Sequence, residues 1–396
     1  MNDNSPPAAP KIPRDRDNDY TPANAARRRA FVAEQTGTEL AHVGKYSFEP
    51  SVLPGNIENF IGVAQVPMGV AGPLRINGEH ARGDFYIPMA TTEGTLVASY
   101  NRGMYLLGEC GGVKTTVVEQ FMQRSPAFMM GDALQARELG AWVDVHFAEI
   151  KAAAETTTRT GKLENIRQIA IGPMRHLRFN YSTGDAAGQN MTGKATLAAC
   201  EWISKNYPGG APYLLSGNTD TDKKHSQINM LQTRGKRVVA EATIKKDVIK
   251  SIMGVDTKEL FWMRQVSQAG AFIAGSANNG AHAANGLTAL FIACGQDVAN
   301  IAESHAGVTY AQLLDNGDYY WSLTLTSLIV ATYGGGTGLP TQRECLEMLG
   351  CYGNGGANKF AEICAGTALA GDTSLTGAIL NGDWVSSHDQ MGRNRK

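Results

Sequence analysis

The stretch at residues 166–181, IRQIAIGPMRHLRFNY, predicts two antiparallel strands joined by a tight turn. Apolar and polar residues alternate along its second half, as they do in a strand with one buried face, and Gly172-Pro173 supplies the turn. Helical patterns flank this hairpin at residues 131–155 and 190–206. A hairpin between two helices indicates an α+β unit.

The same mixture of elements continues outside this unit. Further helices are predicted at residues 23–45, 93–107, 246–253, 276–294, 344–349 and 357–380, and further strands at 85–88 and 238–244. The helix at 276–294 is apolar on nearly every side, which predicts that it is buried. We therefore expect an α+β fold.

Shifts in composition along the chain suggest its domain boundaries. A large, helix-rich domain is predicted from residues 23–125 and 214–380, interrupted by a small inserted α+β domain at 126–213. Residues 1–22 are rich in Pro, Asp, Asn and Arg and lack an apolar core, so we expect a disordered tail.

Composition excludes several classes of protein. Among 396 residues, 36 Lys and Arg face 37 Asp and Glu, and this balance predicts no nucleic-acid partner. No apolar run approaches the roughly 20 residues that span a bilayer, so no membrane segment is predicted. The six cysteines form no C-x-x-C pair, which predicts free thiols, no thiolate metal site and a reducing cytoplasm. The 45 glycines predict many tight turns and close backbone approaches.

The segment from Gly188 to Lys194 matches the phosphate-binding pattern G-x-x-x-x-G-K. The next residue is Ala195, where magnesium coordination requires a hydroxyl group, so a nucleotide-hydrolysing loop is disfavoured. Two other interpretations stay open. The segment is an ordinary capped turn, or it is an anion site formed by the free N–H groups at a helix start.

Four other polar positions are candidates for chemistry. Lys223, in a loop with two aspartates, is either part of a solvated charge cluster or an ammonium aimed at a developing oxyanion. Glu93 is placed in the first turn of the helix at 93–107, and it is either a plain helix-start residue, which is the commoner case, or an acid whose pKa is raised by partial burial between its apolar neighbours. Asp297 follows the buried helix, either as a polar stop signal or as a partner for Glu93. His388 is either a surface residue or a proton donor on a C-terminal flap.

Together, and in this order, these segments resemble the family of 3-hydroxy-3-methylglutaryl-CoA (HMG-CoA) reductases, in a class I-like soluble catalytic form. The resemblance covers roughly residues 45 to 395. The motifs that carry it are Glu58-Asn59-Phe60-Ile61-Gly62, Pro88-Met89-Ala90-Thr91-Thr92-Glu93-Gly94, Asp185-Ala186-Ala187-Gly188-Gln189-Asn190-Met191, Asp222-Lys223-Lys224, Ala281-His282-Ala283-Ala284-Asn285 and Gly295-Gln296-Asp297.

The resemblance implies an NADPH-dependent reduction of HMG-CoA to mevalonate and free CoA, without a metal. It implies that Lys223 stabilises the oxyanion, that Glu93 protonates the aldehyde oxygen, and that Asp297 couples these two groups. His388 is implied to protonate the departing CoA thiolate. The resemblance also implies a homodimer or homotetramer whose active sites lie at the subunit interface.

The resemblance further implies the binding residues. The inserted domain at 126–213 is expected to be a ferredoxin-like NADP(H)-binding domain, the large domain to bind CoA, and residues 381–396 to form a catalytic flap. The implied nucleotide contacts are Thr158, Arg159, Asp185, Ala187, Gly188, Gln189, Asn190 and Arg395. The implied substrate contacts are Glu58, Asn59, Arg102, Arg124, Ser216, Asp222, Lys224, His282 and Asn285.

One departure from the family pattern bears on the substrate. Residues 264–269 lack the lysine that the family uses to bind the acyl carboxylate. A related NADPH-dependent reductase acting on a different acyl-CoA is therefore kept as an alternative. Two further alternatives are a P-loop nucleotide-binding module and a catalytically inactive homologue.

Overall fold

The strands of the protein build two antiparallel sheets in the computed structural model, which describes residues 10–276 and 278–383. The strands are β1 (Met68–Asn77), β2 (Arg82–Ala90), β3 (Lys114–Arg124), β4 (Ala127–Met129), β5 (Lys162–Ile171), β6 (Met174–Ser182), β7 (Tyr213–Leu214), β8 (Gly235–Ile244), β9 (Gly307–Leu313) and β10 (Tyr319–Leu328). Strands β1 and β2 form a separate hairpin, and the other eight form one sheet.

The large sheet has the order β7-β4-β6-β3-β8-β10-β9, with β5 paired to β6. Strand β3 connects its two halves. Residues 114–121 of this strand pair with β8, whereas residues 122–124 pair with β6, where Met122 lies opposite Tyr181. The backbone hydrogen bonds of the sheet therefore continue from one half to the other.

Helices pack on both parts of the sheet. They are α1 (Pro22–Thr36), α2 (Leu96–Glu109), α3 (Ala133–Val145), α4 (Phe147–Glu155), α5 (Gln189–Asn206), α6 (Gln227–Leu231), α7 (Lys246–Met253), α8 (Thr257–Ile273), α9 (Ala283–Ala293), α10 (Ile301–Ser304), α11 (Pro340–Met348) and α12 (Ala357–Leu380). Short 3₁₀ turns at Pro50–Val52, Val298–Asn300 and Gly335–Gly338 complete the regular structure.

The buried apolar residues form two main cores. The larger core gathers side chains from α2, α9, α12 and the β8–β10 half of the sheet, such as Leu290 and Phe360. All buried residues of the second core lie between Phe128 and Ala211. This segregation is compatible with an inserted domain at 126–213, and that division stays a prediction.

The α+β class expected from the sequence is confirmed. The hairpin at 166–181 is present as β5 and β6, and its turn contains Gly172, whose φ is +55°. The predicted helix at 357–380 is present over that same range as α12. The helix expected at 131–155 is present as two helices, because the backbone leaves helical geometry at His146.

Several predicted helix bounds are wrong. The helix predicted at 23–45 ends at Thr36, and the helix predicted at 344–349 begins at Pro340. Two further errors, both in helix starts, move functional residues. Helix α2 begins at Leu96 rather than at Glu93, because Thr95 precedes it in the left-handed conformation, with a φ of 72°. Helix α9 begins at Ala283 rather than at residue 276. In the residues before it, the buried Asp372 carboxylate accepts the N–H groups of Ala281 and His282, which replaces helical hydrogen bonds with a side-chain anchor.

Helix α12 has the length and composition of a membrane-spanning helix, whereas the sequence predicted no such segment. In its most apolar window, 78% of the residues are buried inside the fold. Its packing against α2, α9 and the sheet makes it the central helix of the larger core.

The two ends of the chain lie partly outside the described residues. Within the predicted tail, Asp19 accepts a hydrogen bond of 2.6 Å from the buried Arg28, and Tyr20 donates one to the Ile57 carbonyl. The end of this segment is therefore attached to α1 and to the chain beyond it. Of the predicted flap at 381–396, the structure describes residues 381–383.

Candidate functional site

Three backbone segments enclose an open cleft of about 650 Å³. They are the turn before α5 at residues 186–191, the segment after α9 at 295–298, and the glycine-rich turn at 334–337. The last two touch closely, because a Cβ built on Gly295 would lie 2.4 Å from the Gly336 carbonyl oxygen. At this contact only glycine fits, because any side chain on Gly295 would collide with the neighbouring backbone.

The turn before α5 presents a helix N-terminus to this cleft. Gly188 ends the turn in the left-handed conformation, with a φ of 81°, and α5 begins at the next residue. A Cβ at this position would meet Thr183 at 2.4 Å, so the turn requires glycine. The first N–H groups of an 18-residue helix, together with its dipole, form an anion site.

The same geometry excludes the P-loop interpretation. Helix α5 starts at Gln189, so residues 189–192 are helical and cannot wrap around a phosphate. Lys194 lies on an exposed face of the helix instead of following a loop.

Two of the predicted nucleotide contacts lie next to this turn. Thr158 accepts a hydrogen bond from the Gly161 N–H group at 2.9 Å, which shapes the loop that carries the exposed Arg159. Gly161 packs against the Met191 side chain at the start of α5, since a Cβ there would lie 2.4 Å from its sulfur. The loop with Arg159 is therefore a neighbour of the cleft.

Asp185, in contrast, is not among the residues that line the cleft. Its carboxylate accepts the N–H groups of Gly355 and Ala357 at 2.8 and 3.1 Å, and its carbonyl accepts that of Thr332. Asp185 thus anchors the turn to the start of α12, and its expected contact with the nucleotide stays a prediction. Within the Gly353–Gly356 cluster, the Gly355 N–H donates to this carboxylate and the Gly353 N–H donates to the Thr332 carbonyl.

Lys223 and Asp297 meet beside the cleft. The lysine Nζ lies 2.8 Å from an Asp297 carboxylate oxygen, and both side chains are nearly half exposed, at 42% and 44%. Asp297 also lines the cleft and caps the Val298–Asn300 turn. An ammonium held by a carboxylate next to a cleft can stabilise an oxyanion that develops there.

A network of charges holds the loop that carries Lys223. Arg124, at the end of β3, pairs with the buried Asp220 at 3.1 Å and approaches Asp222 at 4.0 Å. Asp222 also pairs with the buried Arg234, and Lys224 donates to the Asp222 carbonyl. The predicted acyl-site residues Arg124, Asp222 and Lys224 are thus brought together, whereas Ser216 is exposed at the start of the loop.

Glu303 lies beneath this loop, and the sequence analysis did not identify it. Its side chain is fully buried, and one carboxylate oxygen accepts the Lys223 backbone N–H at 2.6 Å. The other oxygen accepts from Asn229 and lies 3.1 Å from Arg234 Nε. Burial raises the pKa of Glu303 to about 7, although Arg234 acts in the opposite direction. A buried charge of this kind leaves no signal in the local sequence.

Glu93 and Asn285 form a second pair. The amide of Asn285 lies 3.2 Å from both oxygens of Glu93. Within residues 10–276 and 278–383, Glu93 makes no ion pair or hydrogen bond with Lys223 or Asp297. The coupling of Glu93 to Asp297 is not a direct contact among the described residues and stays a prediction. Glu93 is also exposed, so it lacks the partial burial expected from its apolar neighbours.

His282 supports this second pair from within the core. Its ring stacks on Tyr100 at a centroid distance of 4.9 Å, and burial lowers its pKa to about 4. The Tyr100 hydroxyl donates to the His282 carbonyl and accepts from the Gly286 N–H group. These bonds fix the start of α9, where Asn285 lies.

The remaining predicted residues are distributed more widely. Arg102 donates to Ser374 on α12 and lies 3.9 Å from Asp383. Glu58 and Asn59 are exposed, and the neighbouring Asn56 lines the cleft instead. His388 and Arg395 lie outside the described residues.

The cleft fits the nicotinamide nucleotide that the resemblance implies. The N-terminus of α5 and the adjacent Arg159 loop match a phosphate-bearing ligand, and Ala187, Gly188, Gln189 and Asn190 all line the cleft. Gln189 is in addition held by Asn300, at 2.9 Å, so the α5 turn is fixed to the segment that carries Asp297.

One group of possible metal ligands is found among the described residues, away from the cleft. It consists of Glu79, His80 and Glu362. The oxygens of the buried Glu362 already accept the N–H groups of Glu79, His80 and Ala81, so the group has a structural explanation.

Comparisons with known proteins agree with the motifs. The chain is 43% identical over 377 residues to the 3-hydroxy-3-methylglutaryl-coenzyme A reductase of Pyrococcus abyssi, and the match covers 92% of each protein. It is 42% identical over 373 residues to the enzyme of that name from Methanocaldococcus jannaschii, again over 92% of each.

A solved structure shows a similar fold. It is the class II 3-hydroxy-3-methylglutaryl-CoA reductase of Streptococcus pneumoniae bound to NADPH, with a TM-score of 0.68 and 20% identity, covering 83% of this chain and 89% of that one. At this identity the likeness concerns the fold alone, so the class I-like assignment stays a prediction.

The family resemblance inferred from the motifs is confirmed by a match along almost the whole chain. A family model described as hydroxymethylglutaryl-coenzyme A reductase matches residues 24–393. With this match and with relatives at 43% and 42% identity, the chain belongs to the hydroxymethylglutaryl-coenzyme A reductase family.

Proposed function

We propose that this protein reduces HMG-CoA to mevalonate and free CoA. The reaction consumes two NADPH and two protons and yields two NADP⁺, because the thioester carbonyl must pass through the aldehyde to the alcohol. The observation that carries the proposal is the Lys223–Asp297 ion pair of 2.8 Å beside the nucleotide-sized cleft. When bound, NADPH supplies the hydride. The residues of the chain stabilise negative charge on the substrate oxygen and protonate the departing thiolate.

Lys223 stabilises negative charge on the substrate oxygen during both reductions. Asp297 keeps the ammonium in place, and the partly exposed position of the pair leaves it accessible to a substrate. A preorganised cation at a developing oxyanion is commonly the largest contribution to such a reaction. His388, on the C-terminal flap, protonates the CoA thiolate so that it leaves as a thiol.

The substrate is held by the lysine loop and its neighbours. Arg124 and Lys224 provide positive charge for the free carboxylate of the acyl group, and Ser216 and Asp222 provide hydrogen bonds. NADPH lies along the α5 turn, and Arg159 binds its 2′-phosphate. In this proposal residues 126–213 act as the nucleotide-binding domain and the remainder binds HMG-CoA.

The complete site is formed between two copies of the chain. Glu93 is bound to Asn285 and makes no hydrogen bond to the Lys223–Asp297 pair within the described residues. In the assembly, Glu93 of one subunit therefore lies near the Lys223–Asp297 pair of another. Exposed apolar side chains on α8, Trp262 and Phe272 at 61% and 87% exposure, are available to bury in such a contact. We propose a homodimer or homotetramer that acts in the cytoplasm, where the six free thiols stay reduced.

The test is consumption of NADPH by the purified protein with HMG-CoA, and in parallel with other acyl-CoA thioesters. We expect turnover with HMG-CoA and loss of at least about 100-fold in kcat for Lys223→Ala. The exposed Lys205→Ala on α5 serves as the charge-matched control. Turnover of another thioester in preference to HMG-CoA would show that the alternative acyl-CoA reductase is correct. Absence of turnover with every thioester would indicate an inactive homologue.

A further inference from the structure

A short helical segment contacts Lys223 twice, once at the side-chain ammonium and once at the backbone N–H. The segment runs from Asp297 through the Val298–Asn300 turn into α10, which contains Glu303. Asp297 binds the lysine ammonium at 2.8 Å, and Glu303 accepts the lysine backbone N–H at 2.6 Å. The two carboxylates, six positions apart, therefore fix both the charged tip and the base of one residue.

The backbone of Lys223 needs such support. Its φ is 56°, in the left-handed region that residues with a side chain seldom adopt. Asn218 and Thr221, in the same loop, have positive φ values as well. A loop with three such residues keeps its conformation only when surrounding contacts impose it.

Glu303 is itself placed with little freedom. Its side chain is fully buried, and Asn229 and Arg234 approach its second oxygen at 3.1 Å each. Arg234 also pairs with Asp222, the residue before Lys223. The residue before the lysine is therefore connected to the same buried cluster, and loss of the Glu303 acceptor would release the lysine N–H while the Asp222–Arg234 pair remains.

We propose that Glu303 is a positioning residue for catalysis, which holds the Lys223 backbone so that the ammonium stays against Asp297 beside the cleft. The inference rests on the proposed role of Lys223 in oxyanion stabilisation. Glu303 acts through Lys223 and needs no contact with substrate or nucleotide.

The test compares Glu303→Ala with Glu303→Gln in the full-length protein. Alanine removes the acceptor, whereas glutamine preserves the volume and a carbonyl oxygen that can accept the Lys223 N–H. For Glu303→Ala we expect amide hydrogen exchange in peptides containing Lys223 to accelerate about 10-fold or more. We also expect kcat to fall about 30-fold, with the KM for NADPH within about twofold, because a displaced catalytic group slows chemistry without altering the nucleotide turn.

Glu303→Gln is expected to restore slow exchange and most of kcat. Glu362→Gln is the matched control, since Glu362 is an equally buried glutamate that accepts backbone N–H groups in a different loop. It is expected to leave exchange at Lys223 and kcat unchanged.

Unchanged exchange at Lys223 in Glu303→Ala would overturn the proposal. So would faster exchange with a normal kcat. Failure of the proposed role of Lys223 would be recognised by a different result. In that case Lys223→Ala would retain turnover, whatever the hydrogen-exchange rates of the Glu303 variants.

Discussion

Tyr100 offers a direct test of how the start of α9 is fixed. Its side chain is fully buried between α2 and α9. The hydroxyl donates to the His282 carbonyl at 2.5 Å and accepts from the Gly286 N–H at 2.9 Å. Tyr100→Phe removes this single oxygen and keeps the ring, so the packing of the aromatic group is preserved.

The expected loss follows from the two bonds. A net hydrogen bond contributes about 1 kcal/mol, and leaving a buried donor or acceptor unsatisfied costs about 1–3 kcal/mol. The His282 carbonyl would keep a hydrogen bond from the Asn285 N–H at 3.2 Å, whereas the Gly286 N–H would lose its partner at a buried helix start that water cannot readily reach. We therefore expect Tyr100→Phe to lower the free energy of unfolding by about 2–3 kcal/mol.

Equilibrium urea denaturation at a fixed protein concentration measures this change through the midpoint and slope. Tyr105→Phe is the matched control, because Tyr105 lies on the same helix with its side chain 55% exposed, and its effect should stay within about 0.5 kcal/mol. A Tyr100→Phe midpoint equal to that of the control would refute the reasoning, since the hydroxyl would then contribute nothing to the fold.

Three further predictions concern the cleft and the core. Asp297→Asn removes the charge that faces Lys223, so kcat should fall about 100-fold in the NADPH assay while the fold persists; a normal kcat would contradict the role of the pair. Gly188→Ala places a Cβ 2.4 Å from Thr183 at a φ of 81°, so the affinity for NADPH in a fluorescence titration should fall at least about 10-fold. Burial lowers the pKa of His282 from 6.5 to about 4. As the pH falls from 6.5 to 4, this histidine is therefore protonated in the unfolded chain before it is protonated in the folded one. The free energy of unfolding should fall by up to about 3 kcal/mol over this range. Urea denaturation across this range should show a shallower loss for His282→Gln than for the wild type, and parallel curves would contradict the assignment.

Features encoded in local pattern could be predicted from the sequence. The hairpin at 166–181 follows from alternation and a Gly-Pro turn, and α12 follows from a long Ala-rich, largely apolar segment without proline. Helix α8 was missed although its capping box, Asp256 with Glu259, is visible in the sequence as an acidic residue three positions after an N-cap type.

Features that depend on tertiary contacts could not be predicted. The start of α2 is set by a left-handed Thr95, a conformation that threonine does not signal. The meeting of Lys223 and Asp297 was expected only through the family resemblance, because 74 positions separate them in the chain. Asp185 was assigned to the nucleotide, yet the loop at 353–357 competes for its carboxylate, and that loop is distant in sequence.

Strand β3 has a consequence for how the protein can be divided. Because its first eight residues pair with β8 and its last three with β6, the segment at 126–213 shares a sheet with the rest of the chain. A chain shortened by this segment would keep β3 but expose the N–H and C=O groups of Met122 to Arg124 as a new sheet edge, a template for association with other chains. The isolated segment would in turn expose β6. The segment at 126–213 thus has a core of its own but shares its backbone hydrogen bonding with the rest of the chain, so the two parts are expected to unfold as one cooperative unit.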